Sequence, residues 1–281
     1  FDSKTFANEL ADANERVDGI ESRINAFEAG GFSDTTVLDG KAIFDVGSVD
    51  TDDDTYDGAT QFMYTYTLNL NTSFTGDDNL YTRIKTGNHS SWSKTKSVYN
   101  TYLSSGNGNG DVLKVDKLWY TTPIGDSNHT VTFGPKIENY YMHATTPSIY
   151  EPVLKAFTLG GNAAAYGAST RPGAGWAYNG DNGFAVSSNI TSKNGLLTDE
   201  VSQSWATQVG YTQPNYSVSA MVNMKYNGWT DSYFMTTDGK ARPGDGNSTN
   251  YGLRAWWRPT DSGTAMPVSY THLTLPTIGC V

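Results

Sequence analysis

The feature that most restricts what this chain can fold into is the sorting of its connections by length. Between residues 41 and 258, apolar and polar residues alternate in about ten separate stretches, and the segments joining them run long, short, long, short. Segments near 50–60, 87–111, 135–172, 191–203 and 228–248 are long, polar and rich in Gly, Asn and Asp. Between them fall tight turns at Thr75-Gly76-Asp77-Asp78, Pro123 to Asn128, Asn179 to Asn182, Gln213-Pro214-Asn215 and Pro259 to Ala265. In an up-and-down meander every second connection lies at the same end, so this alternation gathers the long loops at one end. Transmembrane barrels are built this way. A soluble sandwich with Greek-key links has no reason to sort its loops by parity.

The stretches themselves carry two unlike faces. In residues 61–73, Phe62, Tyr64, Tyr66, Leu68 and Leu70 lie on one side, with Met63, Thr65, Thr67, Asn69 and Asn71 on the other. The remaining stretches are 41–49, 79–86, 112–121, 129–134, 173–178, 183–190, 204–212, 216–227 and 249–258. Several approach the roughly 9–11 residues of a tilted membrane strand, and no run approaches the roughly 18 apolar residues of a spanning helix. A cation at the lipid midplane costs about 2–4 kcal/mol, so the same parity assigns Arg83, Lys85, Lys225, Arg254 and Arg258 to the inner wall with Thr65 and Asn69. Residues 112–121 resist this assignment, because Lys114 and Asp116 fall on one face and Lys117 on the other. One of those faces is therefore expected to place its charge near an interface.

Before residue 31 the period is 3.5. Leu10, Val17 and Ile24 occupy a positions of a heptad and Ala13, Ile20 and Phe27 its d positions, with Arg16 and Arg23 at g and Glu21 and Glu28 at e. Gly30-Gly31 then stops the helix. The spacing predicts a coiled coil over residues 1–30, with a single surface helix as the alternative. Isoleucine at both a and d leans toward three strands.

Composition removes several function classes. The 19 Lys and Arg against 29 Asp and Glu leave a net charge of −10, which disfavours a nucleic-acid partner. One Cys rules out a disulfide framework and a multi-thiolate metal site. The chain has no HExxH, GxSxG or Walker motif, and His89, His129, His143 and His272 are scattered among loops and the C-terminal tail. The glycine run 106–110 is not followed by a helix and reads as a loop. Asp50, Asp52, Asp53, Asp54 and Asp57 invite a calcium reading, but the closest EF-hand alignment puts Tyr64 where the bidentate Glu belongs. Neither an enzyme nor a bound metal or cofactor is expected.

Four stretches carry a resemblance: FANELADANERVDGIESRINAFEAGGFSDTTVLDGKAIFDV, LNLNTSFTGDDNLYTRIKTGN, VDKLWYTTPIGD followed by VTFGPK, and YGLRAWWRP. Over residues 1 to about 265 the chain resembles the cyanobacterial outer-membrane porins of the carbohydrate-selective porin superfamily. The resemblance implies an all-β fold, an antiparallel up-and-down transmembrane β-barrel of sixteen strands preceded by a periplasmic coiled coil. It also implies a homotrimer in the bacterial outer membrane and an upstream S-layer-homology domain that binds peptidoglycan. On this reading residues 1–30 are the coiled coil, with Leu10, Val17, Ile20 and Ile24 at the trimer seam, and residues 31–265 supply about ten of the sixteen strands. Residues 266–281 break the pattern, and SYTHLTLPT reads as translated adapter sequence. The upstream domain and about six strands are expected outside this chain, so no closed family-type barrel is expected within it.

The function implied is passive diffusion of small hydrophilic solutes, inorganic ions or small sugars, through a water-filled pore tethered to the cell wall. By analogy with general porins, the third long loop, 135–172, is the candidate constriction, carrying Glu138, Tyr140, Tyr141, His143, Glu151 and Lys155. Its tyrosines suit sugar stacking and equally an interfacial belt, and both readings stand. The five wall cations suggest a mild anion preference. Two alternatives of other classes are a structural tether between outer membrane and peptidoglycan, and a soluble carbohydrate-binding β-sandwich.

Overall fold

A computed structural model of the chain describes residues 35–52, 56, 58–94, 101–146, 151–161, 163–167, 170–193, 201–227, 229, 247–258 and 271–275. The predicted coiled coil, the turn at 259–265 and three of the five loop aspartates (Asp53, Asp54 and Asp57) lie outside the described residues. Among the described residues eleven strands follow one another: β1 (Thr36–Gly47), β2 (Gln61–Thr72), β3 (Asn79–Gly87), β4 (Lys114–Ile124), β5 (Asp126–Ile137), β6 (Arg171–Asn179), β7 (Phe184–Ser192), β8 (Gln203–Gln213), β9 (Tyr216–Tyr226), β10 (Ser248–Trp257) and β11 (Thr271–Leu275). They form one antiparallel sheet in which every strand pairs with its neighbours in sequence. The two-sheet sandwich is thereby set aside, since the described strands form a single sheet and one of its faces is apolar. The sheet is open, with β1 and β11 at its edges.

The alternation produces that asymmetry. Along β8 and β9 the exposed positions are Trp205, Val209, Tyr211, Tyr216 and Val218, whereas Ser204, Ala206, Gln208, Ser217, Ser219, Met221, Asn223 and Lys225 are buried. Beta10 repeats the rule, with Tyr251, Leu253 and Trp257 exposed against buried Asn250 and Arg254. Phe44, Val46, Phe62, Phe133, Trp176 and Phe184 extend the exposed apolar face over the other strands. This arrangement inverts that of a water-soluble protein, because the large apolar side chains sit outside and the amides and hydroxyls inside. At the short-turn end Tyr211 and Tyr216 pack at 6.2 Å beside Phe184 and Trp257, and at the other end of β8 and β9 stand Trp205 and Tyr226. Ten residue steps from Tyr216 to Tyr226 span about 34 Å, or about 26 Å in projection at a strand tilt of about 40°.

The register changes two sequence expectations. Across β3 and β4, Arg83 pairs with Lys117 but Ile84 pairs with Val115, so Asp116 is the extra residue of a β-bulge. The bulge resets the alternation and brings Lys114 and Lys117 to the same face, so neither needs to sit near an interface. Between β4 and β5, Pro123 and Ile124 continue the strand and the reversal contracts to Gly125, whose φ of 69° suits glycine. A third difference lies in the tail, where no strand was expected. There Thr271–Leu275 pairs with β10, because an unpaired strand edge is a template for an extended segment.

The β2–β3 turn is organised by one carboxylate. Asp78 Oδ1 accepts from Ser73 Oγ, the Phe74 and Thr75 amides and Thr75 Oγ1 at 2.8–2.9 Å, and Tyr120 Oη donates to Oδ2 at 2.7 Å. Burial works against the Asp78 charge, but these donors hold the carboxyl well below the usual carboxylate range. A depressed native pKa stabilises the fold at neutral pH and loses that contribution in acid. Asp78→Ala is therefore expected to lower the denaturant midpoint of detergent-folded protein at pH 7, with the difference from the parent shrinking below about pH 4 as the unfolded-state carboxyl takes up its proton. Tryptophan fluorescence at the two pH values reads both midpoints.

Candidate functional site

The connection after β5 does not lie outside the sheet. A 310 turn, Asn139–Met142, packs on β6 and β7, and an α-turn, Ala163–Tyr166, packs on β9 and β10. Between and around them the backbone serves the polar face. Ser187 Oγ accepts from the Ala144 amide at 3.0 Å, and Gln208 accepts from the Thr145 amide at 3.0 Å and donates to its carbonyl at 3.2 Å. Asn223 Nδ2 donates to the Ala165 carbonyl at 2.9 Å and Lys225 Nζ to the Gly167 carbonyl at 3.1 Å. The Arg254 guanidinium stacks 3.4 Å from the centre of the Tyr166 ring. Two small apolar clusters complete the contact: Ala165, Tyr166, Ala206 and Met221, and Trp119, Ile137 and Met142. The loop after β3 joins it, since Lys155 N donates to the Tyr102 carbonyl and Ser104 N to the Val153 carbonyl, both at 2.7 Å.

At the start of this loop a charged and aromatic cluster stands on β3 and β4. The bulge carboxylate of Asp116 accepts from Arg83 Nε at 2.8 Å and Nη2 at 2.6 Å, a bidentate pair. Glu138 Oε1 lies 3.0 Å from Lys117 Nζ, with both side chains buried. Tyr140 Oη donates to Glu138 Oε2, and Arg83 Nη1 donates to Tyr141 Oη at 3.2 Å. The rings of Tyr81, Trp119, Tyr141 and Tyr140 succeed one another at 4.2, 4.7 and 4.5 Å, and Tyr141 is 38% exposed. Burial alone would raise the Glu138 carboxyl, but Lys117, Tyr140 and Lys155 hold it below the ordinary value. Burial and the Glu138 charge push the Tyr140 hydroxyl well up. Burial, helped by Arg254, brings His143 down to about 3 and keeps its ring neutral at physiological pH, against a smaller upward pull from the Tyr166 backbone.

The residues singled out from the sequence divide accordingly. Arg83, Lys85, Lys225, Arg254, Thr65 and Asn69 share the polar face, and Arg258 lies just past β10 at the short-turn end, its amide donating to the Asn215 carbonyl at 2.7 Å. Lys225, Arg254 and Thr65 are only 5%, 6% and 2% exposed, because the inward loops lie on top of them. They hold the loops and do not face open space. Glu138, Tyr140, Tyr141, His143 and Lys155 sit within the packed loop. Glu151 stands apart and makes an exposed pair with Lys41 at 3.5 Å.

Sequence reasoning missed two other elements. His89, read as a scattered loop histidine, is buried with Nε2 2.9 Å from Asp45 Oδ2 and Nδ1 3.0 Å from the Tyr64 carbonyl. Ser105 Oγ donates to the same Asp45 oxygen at 2.8 Å, fastening the β3–β4 loop onto β1 and β2. His129 lies within β5, stacked on Trp176. The other element is glycine at polar-face positions. A Cβ at Gly175 would meet the Asn189 Cβ at 2.7 Å and the Met142 sulfur at 3.0 Å, and one at Gly252 would collide with the Tyr166 ring. Glycines at inward parity were the signal that something approaches these strands.

The model of the carbohydrate-selective porin, OprB family, matches residues 3–270. The chain is 31% identical to an uncharacterised protein of Nostoc sp. over 168 residues, 57% of this chain and 28% of that protein. It is 33% identical to an uncharacterised protein of Synechocystis sp. over 135 residues, 47% of this chain and 24% of that one. The matches thus span about a quarter of the length of these relatives. Among solved structures, a mutant of Rh. blastica porin aligns with a TM-score of 0.42 at 9% identity, over 80% of this chain and 70% of that one.

Removing one member of a buried ion pair leaves the other uncompensated, at a cost of about 3 kcal/mol. Glu138→Gln is therefore expected to loosen residues 138–167, read as faster proteolytic nicking of that segment in folded protein. Acid acts in the same direction, since the stabilisation from a depressed carboxyl is present at neutral pH and lost as pH falls through its native value.

Proposed function

The chain belongs to the OprB family of carbohydrate-selective porins, and on that premise we propose that it forms wall strands of a water-filled outer-membrane channel through which small hydrophilic solutes, small sugars among them, diffuse passively. The observation that carries this reading is the inversion of faces. An apolar exterior bounded by aromatic residues about 26 Å apart matches the roughly 25 Å band of outer-membrane barrels, and the opposite face is polar, charged and partly covered by a loop. Lipid excludes open sheet edges, so β1 and the far edge pair with further strands in the membrane.

The long loops face outward and the short turns face the periplasm, with the N-terminal heptads there as a trimer seam and an upstream segment bound to peptidoglycan. The inward loop narrows the lumen. The Tyr141 ring, exposed at the end of the aromatic row, offers a face on which a pyranose can stack, and Lys85 favours anions over cations.

In a planar bilayer, the full-length protein is expected to give discrete current steps that grow in proportion to salt concentration. Folded, inserted protein without steps overturns the channel. Gly252→Val, whose added carbons displace Tyr166, is expected to raise the step size if the loop narrows the lumen. Lys85→Glu together with Lys114→Glu is expected to move the reversal potential in a salt gradient toward cations, and an unchanged potential removes both lysines from the solute path.

A further inference from the structure

Four residues stand in line across the polar face of β1 to β4. Lys41 pairs with Thr67, Thr67 with Lys85, and Lys85 with Lys114. Residues opposite one another on antiparallel strands share a face, and like charges in that position repel. Lys85 and Lys114 are directly opposite, and Arg83 and Lys155 add repulsion at Lys85 that Asp116 and Glu138 offset only from a distance. Among the described residues no carboxylate lies within ion-pair distance of Lys85 or Lys114. The nearest acids are already committed, Asp116 to Arg83 by two hydrogen bonds and Glu138 to Lys117 at 3.0 Å. Among the described residues the one ion pair of Lys41 is the exposed contact with Glu151, worth little in water. A bulge was needed to bring Lys114 into this row at all.

We propose that Lys41, Thr67, Lys85 and Lys114 form a binding site for a tetrahedral oxyanion, phosphate or sulfate, free or carried as the ester group of a small sugar. Adjacent strands are about 4.8 Å apart, and the flexible lysine stems let ammonium groups from β1, β3 and β4 converge on one anion, with the Thr67 hydroxyl between them as a neutral donor. Binding relieves a repulsion that no described carboxylate relieves by direct contact with Lys85 or Lys114. The row lies about 7 Å further toward the long-loop end than the Arg83–Lys117 pair, two residues along the strand. An anion entering from that end therefore meets it before the loop-lined level.

The site rests on the reading of the polar face as a lumen, but binding needs no conduction, so calorimetry and conductance separate the two. Folded, detergent-solubilised full-length protein is titrated with inorganic phosphate and with sulfate at low ionic strength. Saturable heat is expected, weakened about tenfold in Lys85→Gln/Lys114→Gln through loss of two charge-assisted contacts and restored toward the parent in Lys85→Arg. Lys114→Gln alone, at the exposed first residue of β4, is the variant least able to disturb folding and is expected to weaken binding in the same direction. Glucose 6-phosphate binding more tightly than phosphate, with glucose inert, assigns the site to a sugar ester; the reverse order assigns it to the free oxyanion. No heat in the parent, or undiminished heat in the glutamine variants, overturns the site. A channel that conducts while phosphate gives no heat defeats the site and leaves the channel, whereas heat without conductance defeats the channel and leaves the site.

Discussion

Side chains such as Gln208, Asn223 and Lys225 are buried on the polar face, where an unpaired amide costs about 1–3 kcal/mol and an unpaired ammonium more. Their partners are the backbone carbonyls and amides of a single loop, at Thr145, Ala165 and Gly167. The seating of that loop on the sheet follows from this exchange. The loop can lie flat because glycines at 175 and 252 leave room for it. It delivers Glu138 to Lys117 and Tyr141 to Arg83 because its first turn is fixed on β6 and β7. The wall and the loop are thus each incomplete without the other.

The outer face asks for nothing of the kind. Among the described residues its Val, Leu, Phe and Trp side chains meet no other layer, and their stabilisation comes from whatever apolar medium surrounds them. A soluble domain with so broad an exposed patch would aggregate. The two faces therefore presuppose different solvents, and a chain that satisfies both cannot be stable in either solvent alone.

What the sequence disclosed and what it withheld divide along range. Strand positions, faces and turn ends were legible because each depends on neighbours two residues away, and Phe62 to Leu70 and Tyr216 to Tyr226 show it within a single stretch. The bulge was not legible, since Lys114, Asp116 and Lys117 read as a conflict until Arg83 on another strand is known to claim Asp116. Nor was the covering of Lys225 and Arg254, because parity gives the side of the sheet but not what rests on it. His89 and Asp45 are 44 residues apart, and no periodicity connects them. The inward course of loop 135–172 is read by analogy with general porins, whereas the glycines at 175 and 252 that receive it lie far in sequence from Met142 and Tyr166, the side chains they admit, and no periodicity links them.

Pairing only between sequence neighbours has a consequence for how such a wall changes length. Each hairpin is held by a local turn, as at Asp78, and touches the rest of the sheet only along its two outer edges. A hairpin can therefore be gained or lost by duplication or deletion of one contiguous segment of gene, with every other register preserved. Circumference becomes a heritable count of units.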